Sequence, residues 1–309
     1  MVLFIRRLAC SMLNFLPKPL IGILNSLLLA VNTVFWCLLL YIPGILKLII
    51  PIRPWRVFCT RLIIWISQCW VACNSGWMWL THRTTWDVSG LEGLSREGWY
   101  LVMCNHQSWV DIFALQHIFN RRIPFLKFFL KQELIWVPVI GIAWWALDFP
   151  FMKRYSPEYL KKHPEKRGED MKATQRACEK FKYTPVSVMN FPEGTRFTPA
   201  KHAGQQSPYK HLLRPKAGGT AFVLEAMGDT LSTLLDATIA YPNGRPGLWE
   251  FMCGRVSHIV IRVEQVPIPE HLLEGSYNED QNHRQKVKEW QEGLWERKDQ
   301  LLEELKNQP

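Results

Sequence analysis

Between Lys18 and Lys47 the chain has no Lys, Arg, Asp or Glu, which excludes a solvated surface helix over that stretch. No G-x-S-x-G elbow and no Walker loop occur, so neither α/β-hydrolase nor P-loop nucleotide chemistry is expected. The eight cysteines contain no C-x-x-C pair and no zinc-ligand spacing. They read as small buried hydrophobes in a reducing compartment. The nine histidines include no H-E-x-x-H, so no metal site is expected. Recognisable RNA- or DNA-binding signatures are also missing, and nucleic acid is not an expected partner. Behind Arg6 and Arg7 the apolar stretch lacks a small-x-small cleavage site and is longer than a signal-peptide core, so it is read as retained.

What is present is apolar and basic: 309 residues, 48% hydrophobic, fifteen tryptophans and a net charge of +10. Aromatic and aliphatic residues crowd the N-terminus, and positive residues flank them, which points to anionic lipid. Leu20 to Ile42 is long enough to enter roughly 30 Å of hydrocarbon as one helix. Pro43-Gly44 is expected to break that helix. Val57 to Leu80 follows as a second apolar segment with a polar seam at Arg61, Gln68 and Asn74 or Ser75. Residues 1–84 thus form a membrane anchor, either a single span with a surface helix behind it or a re-entrant pair. Basic residues on both sides (Arg6, Arg7, Lys18; Lys47, Arg53, Arg56, Arg61) would suit a re-entrant pair facing the cytoplasm. The expected location is a membrane, the inner membrane in a bacterium.

Residues 85–269 change to an α/β pattern, at roughly 185 residues enough to bury a core. Strand-like runs lie at Trp86 to Gly90, Trp99 to Cys104, Pro185 to Phe191, Leu234 to Ala240 and Val256 to Val266. Helical patterns fall at Ser108 to Phe119, Gly168 to Lys182 and Ala217 to Met227. The expected fold is a mixed sheet with flanking helices. The apolar run Leu134 to Phe151 is read as a buried or membrane-facing segment of this body, because Pro138, Gly141 and Pro150 interrupt it. Residues 270–309 form a charged amphipathic helix with Trp290, Leu294, Leu301, Leu302 and Leu305 on one side.

Chemistry concentrates in two short segments, each behind a strand-like run. Asn105-His106-Gln107-Ser108-Trp109-Val110-Asp111 spaces a histidine and an aspartate for a general base held by a carboxylate. Phe191-Pro192-Glu193-Gly194-Thr195-Arg196 combines a carboxylate, a flexible backbone and a guanidinium, suited to a phosphorylated substrate. Cys104 is weighed as a nucleophile and set aside, since its apolar strand implies burial and a raised pKa. A membrane adaptor without catalysis would have no use for these segments together.

These two segments resemble the first and third motif blocks of the lysophosphatidic acid acyltransferase family, in the subgroup also similar to lysocardiolipin acyltransferases. Lys131-Gln132-Glu133-Leu134, a second block ending at Arg154, Pro215-Lys216-Ala217-Gly218-Gly219 and Thr238-Ile239-Ala240-Tyr241-Pro242 resemble further family stretches. The resemblance implies acyl transfer from a thioester to the free hydroxyl of 1-acyl-sn-glycerol 3-phosphate, or of another lysophospholipid such as lysophosphatidylglycerol or lysocardiolipin. It implies His106 as base and Asp111 as its orienting partner. Lys131, Arg154, Glu193, Gly194, Thr195 and Arg196 would place the acceptor, with Glu193 orienting Arg196 or a hydroxyl. No cofactor is expected to be bound; acyl-coenzyme A or acyl carrier protein would bring the acyl group, the latter then being a protein partner. The sequence departs from the family at Leu147-Asp148 and Pro150, at Phe197, where a small hydroxyl residue is frequent, and at Tyr241, where many members have valine.

Overall fold

The computed structural model describes residues 15–152 and 184–307 apart from 229, 232, 276, 278 and 279, together with 13, 159, 162, 163 and 181. Arg154 and the expected helix Gly168 to Lys182, Phe181 apart, lie outside these residues.

Helix α1 (Lys18–Ile49) runs on through Pro43, against the expected break. A proline removes one backbone donor from the ladder. The turn is held from outside by the segment around α4 (Ile140–Ala146). Tyr41 donates its hydroxyl to Val139 O, Lys47 pairs with Asp148 at 2.5 Å, and a Cβ on Gly44 would meet that of Ala146 at 3.4 Å. Helix α2 (Arg53–Thr81) turns back along α1. Asn32 Nδ2 donates to Asn74 Oδ1 at 2.8 Å and to Trp70 O at 3.1 Å, while Trp70 Nε1 donates to Thr33 Oγ1 at 3.1 Å. The polar seam read from the sequence is thus partly the lacing of a helical hairpin; Asn74 is buried in it and Arg61 is exposed. Both helices are long and apolar enough to cross a membrane. Near the start of α1, buried Asn25 donates to Met252 O at 2.8 Å and to Thr81 Oγ1 at 3.0 Å, which fastens the hairpin to the body that follows.

That body is built on a six-stranded mixed sheet. The strands are β1 (Thr85–Ser89), β2 (Tyr100–Cys104), β3 (Leu126–Phe128), β6 (Ser187–Asn190), β7 (Thr233–Ala240) and β8 (His258–Pro267), in the order β1-β8-β7-β2-β6-β3. Strands β7, β2, β6 and β3 run parallel; β8 is antiparallel to β7 and parallel to β1. All five residues of β2 are buried, the unbroken apolar run of a strand covered on both faces. Leu101 and Met103 point into one core, with α6 (Ala217–Met227) and the C-terminal helix α8 (Gln281–Asn307). Tyr100, Val102 and Cys104 point into the other, with α3 (Val110–Phe119) and α7 (Leu248–Met252). On α8 the side carrying Leu294, Leu302 and Leu305 is buried as expected, and Trp295 and Lys298 are buried with it.

The run Leu134 to Phe151 is no single long helix. A 3-10 turn (Gln132–Trp136), α4 and the short strand β5 (Phe151–Met152), paired with β4 (Leu130–Lys131), divide it. Ala143, Ala146, Leu147 and Phe149 pack with α1 and α2, while Trp136, Ile142 and Trp145 are exposed. One more short helix, α5 (Pro199–Gln205), follows β6.

Candidate active site

Because β7, β2 and β6 are adjacent and parallel, their C-terminal ends share one edge of the sheet, where sites of α/β folds collect. Asn105, the first residue beyond β2, clamps that edge. Its Oδ1 accepts from Ile239 N and its Nδ2 donates to Ile239 O, both at 2.9 Å, so a side chain imitates a strand partner.

The turn behind Asn105 folds His106 back onto the first turn of α3. His106 Nδ1 lies 2.8 Å from Asp111 Oδ2. Since a carboxylate only accepts, the ring proton sits on Nδ1 and Nε2 is left as the basic nitrogen. Asp111 is fully buried and its oxygens are filled: Oδ2 also accepts from Gln107 N (2.6 Å) and Ser108 N (2.9 Å), and Oδ1 accepts from Tyr241 Oη (2.6 Å). Burial, with the Asp111 carboxylate second, pushes the Tyr241 phenol well above its ordinary range, so it stays a donor. The departure at Tyr241 therefore adds a direct bond to the dyad that the sequence reading had not assigned. Phe191 stacks on the His106 ring at 4.1 Å between centroids and 17° between planes, which fixes the other face of the base.

Glu193 does not hold Arg196. Its Oε1 accepts from His106 N at 2.8 Å and its Oε2 from Leu213 N at 3.0 Å, so it ties the β6 turn to the β2 turn and to the loop before α6. A buried carboxylate takes the nearest unsatisfied donors, and backbone N–H groups cannot be located from residue types. Burial raises its pKa to about 7, against the opposing pull of those two donors. The native state therefore favours the protonated form. This group's contribution to stability is present in full below its ordinary value of 4.5 and is lost as pH rises through about 7. From about pH 5 to pH 7.5 the wild-type melting temperature should fall more steeply than that of Glu193→Gln. Parallel profiles in a thermal melt series would refute the assignment.

Gly194 has φ +68°, a left-handed conformation natural to glycine, and its N–H is used by Phe191 O at 2.9 Å in the turn. That N–H is therefore already occupied and is no donor to a developing oxyanion. Thr195 Oγ1 accepts from Lys201 Nζ at 2.7 Å. The Arg196 guanidinium lies 4.4 Å over the Trp109 ring. Lys131 is exposed on β4, and among the described residues its side chain makes no hydrogen bond or ion pair. Cys104 is fully buried, and burial pushes its thiol well up, against a nucleophilic role.

Between α1, α2, α3 and α4 an apolar chamber of about 270 Å³ reaches His106 and Phe191. Trp36, Leu40, Ile66, Phe128 and Trp144 are among its walls.

Fold and site together define an α/β protein whose strand-end His106–Asp111 pair adjoins an apolar chamber supplied partly by its N-terminal helices. The chain belongs to the Acyltransferase family, whose model matches residues 85–241. It is similar to 1-acyl-sn-glycerol-3-phosphate acyltransferase epsilon of Mus musculus, 23% identical over 231 residues, 68% of this chain and 58% of that protein. It is also similar to the delta protein of Bos taurus, 24% identical over 290 residues, 89% of this chain and 69% of that one. Against the human gamma protein the match covers 46% of that protein, so the chain spans only about half the length of some relatives. The crystal structure of the 1-acyl-sn-glycerophosphate acyltransferase PlsC from Thermotoga maritima shares the fold. Its TM-score is 0.56 over 94% of this chain and 96% of that one, at 17% identity.

Proposed function

We propose that this protein is a membrane-bound enzyme that moves a fatty acyl group from a thioester to the free hydroxyl of 1-acyl-sn-glycerol 3-phosphate, giving phosphatidic acid. The observation that carries this reading is the His106–Asp111 pair, 2.8 Å apart, whose His106 lines the apolar chamber. The names of the relatives support the choice of acceptor.

His106 Nε2 takes the hydroxyl proton as the oxygen attacks the thioester carbonyl, and Asp111 steadies the imidazolium. When the tetrahedral intermediate collapses the C–S bond breaks, and the imidazolium returns its proton to the leaving thiolate. No acyl-enzyme is required. The chamber suits an acyl chain laid against the hairpin, with its carbonyl beside the base. Arg196 and the turn around Gly194 and Thr195 receive the acceptor phosphate, with Arg154 and Lys131 as further cations. Coenzyme A and acyl carrier protein are both chemically competent donors. The hairpin would hold the site at the headgroup level of the membrane, with the catalytic body on the cytoplasmic face.

The test is transfer of a labelled acyl group by membranes carrying the wild-type chain, with both donors, to lysophosphatidic acid and a panel of other lysolipids. Transfer to lysophosphatidylglycerol or lysocardiolipin alone would keep the mechanism and replace the acceptor. Tyr241→Phe removes one hydrogen bond to an ionised group, and kcat should drop about 10-fold with the fold retained. An unchanged kcat would show that Asp111 needs no help from Tyr241.

A further inference from the structure

We infer that Arg245, in the loop after β7, is a second guanidinium grip on the acceptor phosphate and selects a phosphate monoester over a diester. This rests on the acyl-transfer reading of the same site and adds a residue outside every motif that carries that reading.

Arg245 is seated by the neighbours of the two functional residues. Its Nε donates to Gln107 Oε1 at 2.5 Å, and its guanidinium lies 3.8 Å over the ring of Phe197. Gln107 follows the base and Phe197 follows Arg196. Phe197 is itself tied to the base, because its N–H donates to His106 O at 2.8 Å. Arg196 is held in the same manner, 4.4 Å over Trp109. A guanidinium stacked on a ring uses its face and leaves its in-plane N–H groups to meet a planar or tetrahedral oxyanion. Among the described residues the Nη atoms of both arginines make no hydrogen bond.

The surrounding charge favours the same reading. Lys201 is turned onto Thr195 and the Arg196 carbonyl, and Lys216 would lie 3.6 Å, by its Nζ, from a Cβ on Gly194. The acids beside this group, Asp111 and Glu193, are buried and saturated by internal donors. A cationic rim over filled carboxylates keeps its field for an incoming anion. Arg245 is exposed at that rim, and burial of part of its side chain lowers its pKa while the Glu193 charge opposes this. Phe197 stands where a small hydroxyl residue is frequent in the family that the sequence resembles, and such a residue would offer no ring for Arg245. A dianionic monoester can occupy two forks; a diester carries one charge fewer and is hindered by its second substituent. Coenzyme A also brings phosphates, so acceptor and donor must be told apart.

Steady-state kinetics of the full chain in membranes separate them, with lysophosphatidic acid and lysophosphatidylglycerol as acceptors and acyl-coenzyme A as donor. For Arg245→Ala the KM for lysophosphatidic acid should rise about 10- to 100-fold. Its kcat and the donor KM should stay within about two-fold. Arg245→Lys should recover part of the loss, keeping charge without the fork. Phe197→Ser should raise KM less than Arg245→Ala does, and all three variants should narrow the preference for the monoester. Inhibition by sn-glycerol 3-phosphate, the headgroup without a chain, should weaken in parallel. An unchanged acceptor KM, a rise in donor KM in its place, or equal losses on both acceptors would overturn the inference. If Arg245→Ala fails to fold, the Lys and Ser variants carry the same comparison. Wild-type membranes inert toward every acceptor would overturn the acyl-transfer reading, and the inference with it.

Discussion

His106→Ala should leave a folded protein whose acyl transfer to lysophosphatidic acid is slower by about 10²- to 10⁴-fold. On the proposed mechanism the loss should fall on kcat, because the ring would act on the proton in flight while the chain and headgroup would be held elsewhere. Asp111→Asn should come close to the same loss by another route. Asp111 Oδ2 accepts from a ring nitrogen and two backbone N–H groups, and an amide placed there turns a donor toward one of them or leaves one unmet. Its imidazole would no longer be held with the proton on Nδ1. Full activity in His106→Ala membranes would sink both the base and the mechanism.

Lys298→Ala should destabilise the fold by about 3–5 kcal/mol, measured by denaturant unfolding. The Lys298 side chain is fully buried, its ammonium 2.8 Å from Asp236 Oδ1, and it donates to Ala237 O at 2.7 Å and Thr238 Oγ1 at 3.0 Å. Truncation leaves the Asp236 carboxylate inside the core, where burial already pushes its pKa up, without the cation that opposes this. The double change Lys298→Met with Asp236→Leu should recover most of the loss, since the expense lies in the unpaired charge. A single variant within about 0.5 kcal/mol of wild type, the scatter of surface changes, would show that water reaches the pair.

The sheet was legible where a strand is buried and mostly apolar: Tyr100–Cys104 and Ser187–Asn190 fall inside the segments read from the sequence, and Thr233–Ala240 begins one residue before the run read as Leu234 to Ala240. Strand β3 was missed because Leu126–Phe128 is three residues long and offers no period; β4 and β5 are shorter still. The continuation of α1 through Pro43 depends on contacts made about a hundred residues away by α4, which no local propensity encodes. In the site, the His106–Asp111 bond follows from spacing at a helix start. Glu193 shows the limit: its partners are backbone N–H groups of His106 and Leu213, invisible to any reading by residue type. Tyr241 was visible only as a departure from the family pattern. Arg245 was not visible at all, since its place is set by a ring and an amide from two other segments.

Thr33, Trp36, Cys37 and Leu40 of α1, with Ile66, Ser67 and Trp70 of α2, wall the chamber that reaches His106. On the proposed function the hairpin is as much a part of the enzyme as the sheet is, and cutting these two helices away to obtain a soluble catalyst would open the chamber to water. Chain-length selectivity and membrane attachment would then share the same side chains, so a substitution that tunes either one would be felt in the other.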